Sequence, residues 1–282
     1  METTYGAIEA GGTKFRVATF DGGAHIIEEA QFPTQTPDTT LVECRTFLED
    51  SSIVTLGIGS FGPITLTGSR RGVFGATPKL AWAGASVLAP FESLGIPIAL
   101  DTDVGAAAVG ELHHGAAQDT SDVFYVTVGT GIGGAYATRN GVHHGHGHSE
   151  IGHLRVNRIE RDEFAGVCPF HGDCFEGMAS GTALNARAEQ GQQYRSDLVA
   201  EYLGQLVLAI TYTFAPDRIL FGGGVMNVPD MIERIRIGAA DALADYSTNP
   251  ATVGSPSYIA EAGLGQDAGL IGAAQLAIDL DG

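Results

Sequence analysis

The chain has 282 residues, 44% of them hydrophobic, with 33 acidic against 15 basic side chains and a formal net charge of −18. That length exceeds what one compact core usually fills, so two lobes are expected, and the acidity repels nucleic acid and anionic membranes as partners. No apolar run reaches the ~18 residues of a membrane span and the N-terminus lacks a basic-then-apolar signal, so a soluble, cytoplasmic protein is expected.

In chain order, "YGAIEAGGTKFRVATFD" reads as strand, glycine turn, strand, and "GAHIIEEAQFPT" as a third strand. "TPDTTLVECRTFLEDS" opens on Pro and Asp and carries apolar residues at helical spacing, which predicts a helix with Cys44 as a buried structural thiol. "IVTLGIGSFGP" is a buried strand entering a glycine loop, and "GIPIALDTDVGAAAVGELHHGA" a strand followed by an Ala-rich helix, with Asp101 and Asp103 at the junction. The second half repeats the theme. "DVFYVTVGTGIGGAYATRNG" is strand, glycine turn, strand, and "SDLVAEYLGQLVLAITYTFAP" a long amphipathic helix stopped by Pro216. "RILFGGGVM" is a strand with a glycine turn, and "GLIGAAQLAIDL" a closing helix. This coarse duplication predicts two α/β lobes with a cleft between them, a favoured place for a ligand.

Three segments carry candidate chemistry. The turns in "EAGGTK", "GTGIGG" and "FGGGV" present backbone N–H groups with no Cβ in the way, which suits phosphate. They match neither the Walker nor the dinucleotide pattern. Asp103, at a strand end, is a candidate base for a hydroxyl proton, and equally a candidate helix cap. Cys168, His171 and Cys174 stand as C-x2-H-x2-C, fifteen residues after His153. Two thiolates and two imidazoles form a closed tetrahedral set, which predicts structural zinc rather than a catalytic ion. Three cysteines do not make a disulfide framework. The run "HHGHGH" (His143 to His148) reads as a polar, solvated loop.

Taken together, "IEAGGTK", "GSFGP", "TPKLAW", "DTDVGAAAVGE", "VTVGTGIGGA", "EIGHLRV", "CPFHGDCFEGMASG", "FGGGVM" and "LGQDAGLIGAA" resemble, in order and over essentially the whole chain, the ROK sugar kinases (repressor, open reading frame, kinase). The likeness is greatest to their fructokinase branch. It implies an α/β, actin-like (ribonuclease-H-like) ATPase fold with two lobes around a cleft. The small lobe would span 1–108, joined by the C-terminal helix 268–282, and the large lobe 109–267. It implies Asp103 as general base, and Gly62, Thr102, Asp103, Glu150, His153 and Glu176 as sugar contacts. Gly11, Gly12, Thr13 and Lys14, then Gly129, Thr130 and Gly131, then Gly222, Gly223 and Gly224 would hold ATP. His153, Cys168, His171 and Cys174 would hold Zn2+, and Mg2+ would accompany ATP, with Glu9 where many relatives carry Asp. Thr102 and Gly105 replace residues that are usually Asn in glucokinase-like relatives. That departure and the His in the metal set favour fructose, with mannose as a further substrate. The alternatives are a glucokinase or N-acetylhexosamine kinase and, remotely, a non-enzymatic sugar-responsive regulator, which would carry a DNA-binding segment before the first glycine turn. A homodimer is expected from relatives.

Overall fold

The computed structural model describes residues 3–77, 79–191, 195–244, 246 and 255–282. Pro78, in the Thr-Pro-Lys segment, lies outside the described residues. The chain groups into two compact units, one of Met1–His114, Gly141–His148 and Gln266–Gly282, the other of Gly115–Asn140 and Ser149–Gly265.

The first unit is built on a sheet of β1 (Thr4–Ala10), β2 (Lys14–Phe20), β3 (Ile26–Pro33), β4 (Ile53–Ser60) and β5 (Ile98–Thr102), in the order β3-β2-β1-β4-β5. β1, β2 and β3 form an antiparallel meander, and β4 and β5 run parallel to β1. The central strands are almost wholly buried, whereas the edge strand β3 exposes most of its residues. Helix α1 (Pro37–Glu49) starts at the expected proline and buries Leu41, Cys44 and Leu48, one face of a 3.6-residue period. Burial pushes the Cys44 thiol up to about 12, as suits an inert structural cysteine.

Helix α2 (Asp103–His114) and the C-terminal helix form the other layer of this unit. Their small residues let backbones meet: a Cβ at Gly57 would lie 1.8 Å from the Ala273 carbonyl oxygen, and one at Gly272 would lie 1.7 Å from that of Ala106. Any side chain at either position would force the layers apart.

The second sheet contains β6 (Asp122–Val128), β7 (Ile132–Thr138), β8 (Gly141–Val142), β9 (Ile219–Gly222) and β10 (Ile259–Glu261), ordered β10-β9-β6-β7-β8. β6 and β7 are antiparallel, while β9 and β10 run parallel to β6 and to each other. The strand order of the first sheet thus recurs, and the sequence duplication is a duplication of topology.

Helices α3 (Phe175–Ala179), α4 (Gly181–Glu189), α5 (Ser196–Thr213) and α6 (Met231–Leu243) complete the second unit before α7 (Ala268–Asp281), the helix that returns to the first. The long α5 supplies Leu198, Val199, Tyr202, Leu203, Leu206, Val207 and Ile210 to the core, matching its predicted amphipathicity.

Candidate active site

In the first unit, parallel pairing places three strand ends side by side: Ala10 opposite Ser60, and Ser60 opposite Thr102. The Gly11–Gly12 turn, the cis Gly62–Pro63 loop and Asp103 leave from these ends. The carboxyl edge of parallel strands is where α/β sheets receive ligands. The Gly11 N–H donates to the Lys14 carbonyl at 3.0 Å, and a Cβ at Gly11 would lie 2.7 Å from that oxygen, so the turn needs glycine there. Thr34 clamps it from the neighbouring strand, its hydroxyl donating to Gly11 O (2.8 Å) and its N–H to Thr13 O (2.9 Å).

Asp103 is the first residue of α2, half-buried, and its Oδ1 accepts from the Val104 N–H at 2.9 Å. Burial pushes its carboxyl up to about 6, opposed by backbone N–H groups and the His148 charge and reinforced by Asp101. Such a group is ionised at neutral pH yet basic enough to take a hydroxyl proton. Glu9, near the end of β1, is likewise pushed up by burial, to about 7, with Arg16 at 3.6 Å partly offsetting the rise. Arg16 also meets Glu29 (2.7 Å), Asp267 (2.8 Å) and the Gln266 carbonyl (2.8 Å), tying β1, β3 and the start of α7 together.

The residues around Asp103 form one linked arrangement. A Cβ at Gly105 would lie 2.0 Å from Asp101 Oδ1, so glycine at 105 makes room for that carboxylate. The Thr102 hydroxyl is turned inward, accepting from the Gly105 N–H at 3.0 Å and donating to Asp101 Oδ1 at 3.3 Å. Asp101 Oδ2 is held by His144 Nε2 at 2.8 Å. The "HHGHGH" run is mostly exposed, as expected from its polarity, but His144 and His148 turn inward. Of its six residues His143, Gly145, His146 and Gly147 are exposed, while His144 and His148 are half-buried where the segment closes on the end of β5, and the His148 ring lies 3.6 Å from where a Gly62 Cβ would sit. Sequence reading missed His144 and His148; the spacing of four between them was the available signal.

In the second unit, the Gly129–Gly131 turn leaves β6 and the Gly222–Gly224 turn leaves the adjacent parallel β9. Gly223 has φ +89°, and a Cβ there would lie 2.6 Å from the Val128 carbonyl, so the two turns touch through backbone. The Gly181 N–H donates to Gly129 O (2.7 Å) and the Thr182 hydroxyl to Thr130 O (2.7 Å), fixing the turn against the start of α4. Glu176 Oε2 accepts from the Ile132 N–H at 3.1 Å, in space left by Gly131. Glu150 precedes a 3-10 turn, Ile151–His153, and is exposed.

The four metal candidates come together, their ligating atoms all within 4.8 Å of one another. His153 Nδ1 lies 3.7 Å from Cys168 Sγ and 3.6 Å from Cys174 Sγ, and His171 Nδ1 lies 3.7 Å from Cys168 Sγ. The S–N edge of a tetrahedron with zinc bond lengths is about 3.6 Å. His153 has two faces: Nδ1 points at the thiols and Nε2 lies 4.0 Å from Glu176 Oε1. Burial, with Cys168 adding to it, pushes the Cys174 thiol up to about 11, so a cation must displace its proton.

Two sheets of one topology, each with a glycine turn after its first strand, define an α/β protein of the actin-like (ribonuclease-H-like) ATPase fold. Residues 5–280 match the ROK family model, and the chain belongs to the ROK family. It is 41% identical over 265 residues to a fructokinase of Lactococcus lactis subsp. cremoris, covering 90% of each chain. Among solved structures it resembles a ROK hexokinase from Thermus thermophilus (26% identity, TM-score 0.78, 100% of both chains). It also resembles a ROK family glucokinase from Streptomyces griseus, in complex with glucose and AMPPNP (25% identity, TM-score 0.76, 99% and 100%).

Proposed function

We propose that this protein is an ATP-dependent hexose kinase that phosphorylates D-fructose at the 6-hydroxyl, and mannose in addition. The observation that carries the reading is Asp103, a carboxylate with its pKa raised to about 6, on the same sheet edge as a glycine turn suited to phosphate. The 41% identity to a fructokinase, against 25% to a glucokinase, favours a ketohexose. The linked Thr102, Gly105 and Asp101 arrangement agrees with that preference, since it leaves neither Thr102 nor Gly105 a side-chain group aimed at a glucose-type hydroxyl.

In the reaction, Asp103 takes the proton of the sugar hydroxyl as its oxygen attacks the γ-phosphorus in line. The turns at Gly11–Lys14 and Gly129–Gly131 and the loop Gly222–Gly224 orient the nucleotide through backbone N–H groups. Gly62, Thr102, Glu150, His153 and Glu176 line the sugar's surroundings, Thr102 acting through Asp101 and the start of α2. Magnesium, bound with ATP, neutralises phosphate charge, and Glu9 is the carboxylate of this edge that would meet it or its waters. In this reading the lobes are 1–108 with 268–282, and 109–267, whereas the compact units divide at His114 and put Gly141–His148 and Gln266–Gly282 with the first.

His153, Cys168, His171 and Cys174 hold a structural zinc ion in this reading: four protein ligands leave no position for a reacting water. The metal fixes the 153–174 loop and with it the Nε2 face of His153 toward Glu176. The cytoplasm as location and a homodimer as assembly belong to the same proposal. Among the described residues no helix is long and apolar enough to cross a membrane.

The test is ADP release from ATP with fructose, mannose, glucose and N-acetylhexosamines in parallel, alongside elemental analysis. Fructose is expected to give the highest kcat/KM, with about one zinc per chain. A higher kcat/KM for glucose or an N-acetylhexosamine would overturn the sugar assignment, and metal-free active protein the zinc.

A further inference from the structure

Among 282 residues there are only two lysines, Lys14 and Lys79, against thirteen arginines and 33 carboxylates. Although 65 positions apart, both lysines stand at the first glycine turn. Lys14 ends the turn at the start of β2, exposed, with its Nζ 3.4 Å from Gln31 Oε1. Lys79 reaches the turn from the segment before the short 3-10 turn Leu80–Trp82, and its Cε lies 3.6 Å from where a Cβ on Gly12 would be. Its ammonium group is one bond further on, beyond 4 Å from that point but within a side-chain rotation of the turn.

The other cations are used differently. Of the thirteen arginines all but the exposed Arg70 have a partner in the structure, such as Arg16 with Glu29, Arg187 with Asp162 and Arg218 with Asp119. Lys79 is half-buried, yet among the described residues its Nζ has no recorded ion pair or hydrogen bond. In a chain of net charge −18, a half-buried ammonium group beside a glycine turn and without a carboxylate partner is placed to meet an anionic ligand.

The base of the segment is firmly set. The Lys79 N–H meets the Thr77 hydroxyl at 3.3 Å and the Lys79 carbonyl accepts from the Trp82 N–H at 2.8 Å. Trp82 is itself buried against Phe15, Phe61 and Phe74, and its indole N–H donates to the Gln35 carbonyl at 2.8 Å. A flexible cation is thus delivered from an aromatic core to an anion-binding turn.

Resting on the kinase reading, we propose that Lys79 is a further catalytic residue, which donates hydrogen bonds to the γ-phosphoryl oxygens of ATP during transfer. The sugar O–P bond forms as the bond from Pγ to the bridging oxygen of ADP breaks. The hydroxyl proton goes to Asp103 and the electron pair to ADP. Lys79 stabilises charge on the transferring group, as preorganised donors do in phosphoryl transfer. Its compact, mobile ammonium suits a group that moves from donor to acceptor.

Lys79→Met and Lys79→Arg in the full chain test this. Lys79→Met should lower kcat by ~10²–10³, with Tm unchanged within about 2 °C and partial recovery in Lys79→Arg. By titration, Lys79→Met should weaken AMP-PNP binding at least about tenfold while ADP affinity changes less than about threefold, because ADP lacks the γ-group. Turnover within threefold of wild type would overturn the proposal. So would equal weakening of AMP-PNP and ADP with a fall in Tm, which would make Lys79 a packing residue. The nucleotide titration decides the matter even if the wild-type chain phosphorylates none of the sugars, an outcome that would sink the sugar assignment alone.

Discussion

The two glycine turns that follow β1 and β6 occupy equivalent places in sheets of the same strand order, yet their surroundings differ. The first is ringed by charge: Glu9 and Arg16 on its strands, Lys14 at its end, Lys79 across it, and Asp103 two strands away on the same edge. The second is braced by neutral donors, the Gly181 N–H and the Thr182 hydroxyl, and by one carboxylate, Glu176, held on the Ile132 N–H. A duplicated backbone supplies two cradles, while side chains assign ionic chemistry to the first and positioning to the second. Substitutions in the two regions should therefore fail differently.

Asp103→Asn is the sharpest case. In the wild type, kcat is expected to exceed that of the variant by ~10²–10⁴, the usual contribution of a general base. Stability should move the other way. A carboxyl whose folded pKa is raised to about 6 from an unfolded value near 4 costs stability progressively as pH rises from about 4 to 6, and the penalty is complete above that. Asn removes that penalty, so Tm should rise by about 2 °C at pH 8 and hardly at all at pH 4. A variant that lost both activity and stability would place Asp103 among structural residues.

The second unit should show the converse. Asp162 and Arg187 form an ion pair at 2.8 Å with both side chains 1% exposed, joined by the Tyr202 hydroxyl (2.8 Å) and by Phe164 beneath the guanidinium (4.2 Å). Burial alone would raise the Asp162 carboxyl, but hydrogen bonds from Arg187, the Phe164 N–H and Tyr202 hold it down to about 2. Asp162→Ala leaves a buried cation and should cost ~3 kcal/mol, read by chemical denaturation. Since the folded pKa is depressed, the pair's contribution is present above pH 4 and lost as pH falls toward 2. At 25 °C the folded fraction of the variant should still turn over sugar at close to the wild-type kcat.

Next in size is Cys168→Ser with Cys174→Ser. Loss of the metal set should free His153, raising the KM for sugar by ~10-fold with kcat changed less, since the ring would no longer be fixed against Glu176. Equal sugar KM in the zinc-free variant would separate the metal from the site.

Most of this fold was legible because its signals are local. β1, β2, β4, β6 and β7 are short apolar runs bounded by glycine, α1 opens on proline and buries one face, and α5 and α7 are rich in apolar residues. Of the elements not predicted, α4, "GTALNARAE", offers few large apolar residues, whereas α6, "MIERIRIGAADAL", does carry a helical period, burying Met231, Ile235, Ala239 and Leu243 at four-residue spacing between exposed charges. The metal cluster was readable from spacing, because ligand chemistry names its own partners. His144 and His148 were not, since a histidine on a polar, glycine-rich segment looks solvated until the fold brings Asp101 and Gly62 beneath it. Lys79 was invisible for a related reason: only the folded chain shows that both lysines meet at one turn.

The smallest effect concerns acidity at the first turn, where Glu9 and Asp103 are both raised by burial and each charge disfavours the other. Asp103 must be ionised to accept a proton, and Glu9 must be ionised to attract magnesium. As pH falls from 8 to 5 at fixed magnesium, kcat/KM should therefore drop through two coupled protonations near 7 and 6, with a limiting slope above one. In Glu9→Gln the upper step disappears, the slope becomes one, and the remaining midpoint moves down by a few tenths of a unit, because a neighbouring negative charge is gone. Higher magnesium should shift the upper midpoint downward in the wild type and leave the variant unmoved. A wild-type profile already of slope one, unchanged by Glu9→Gln, would mean that Glu9 serves only to anchor Arg16.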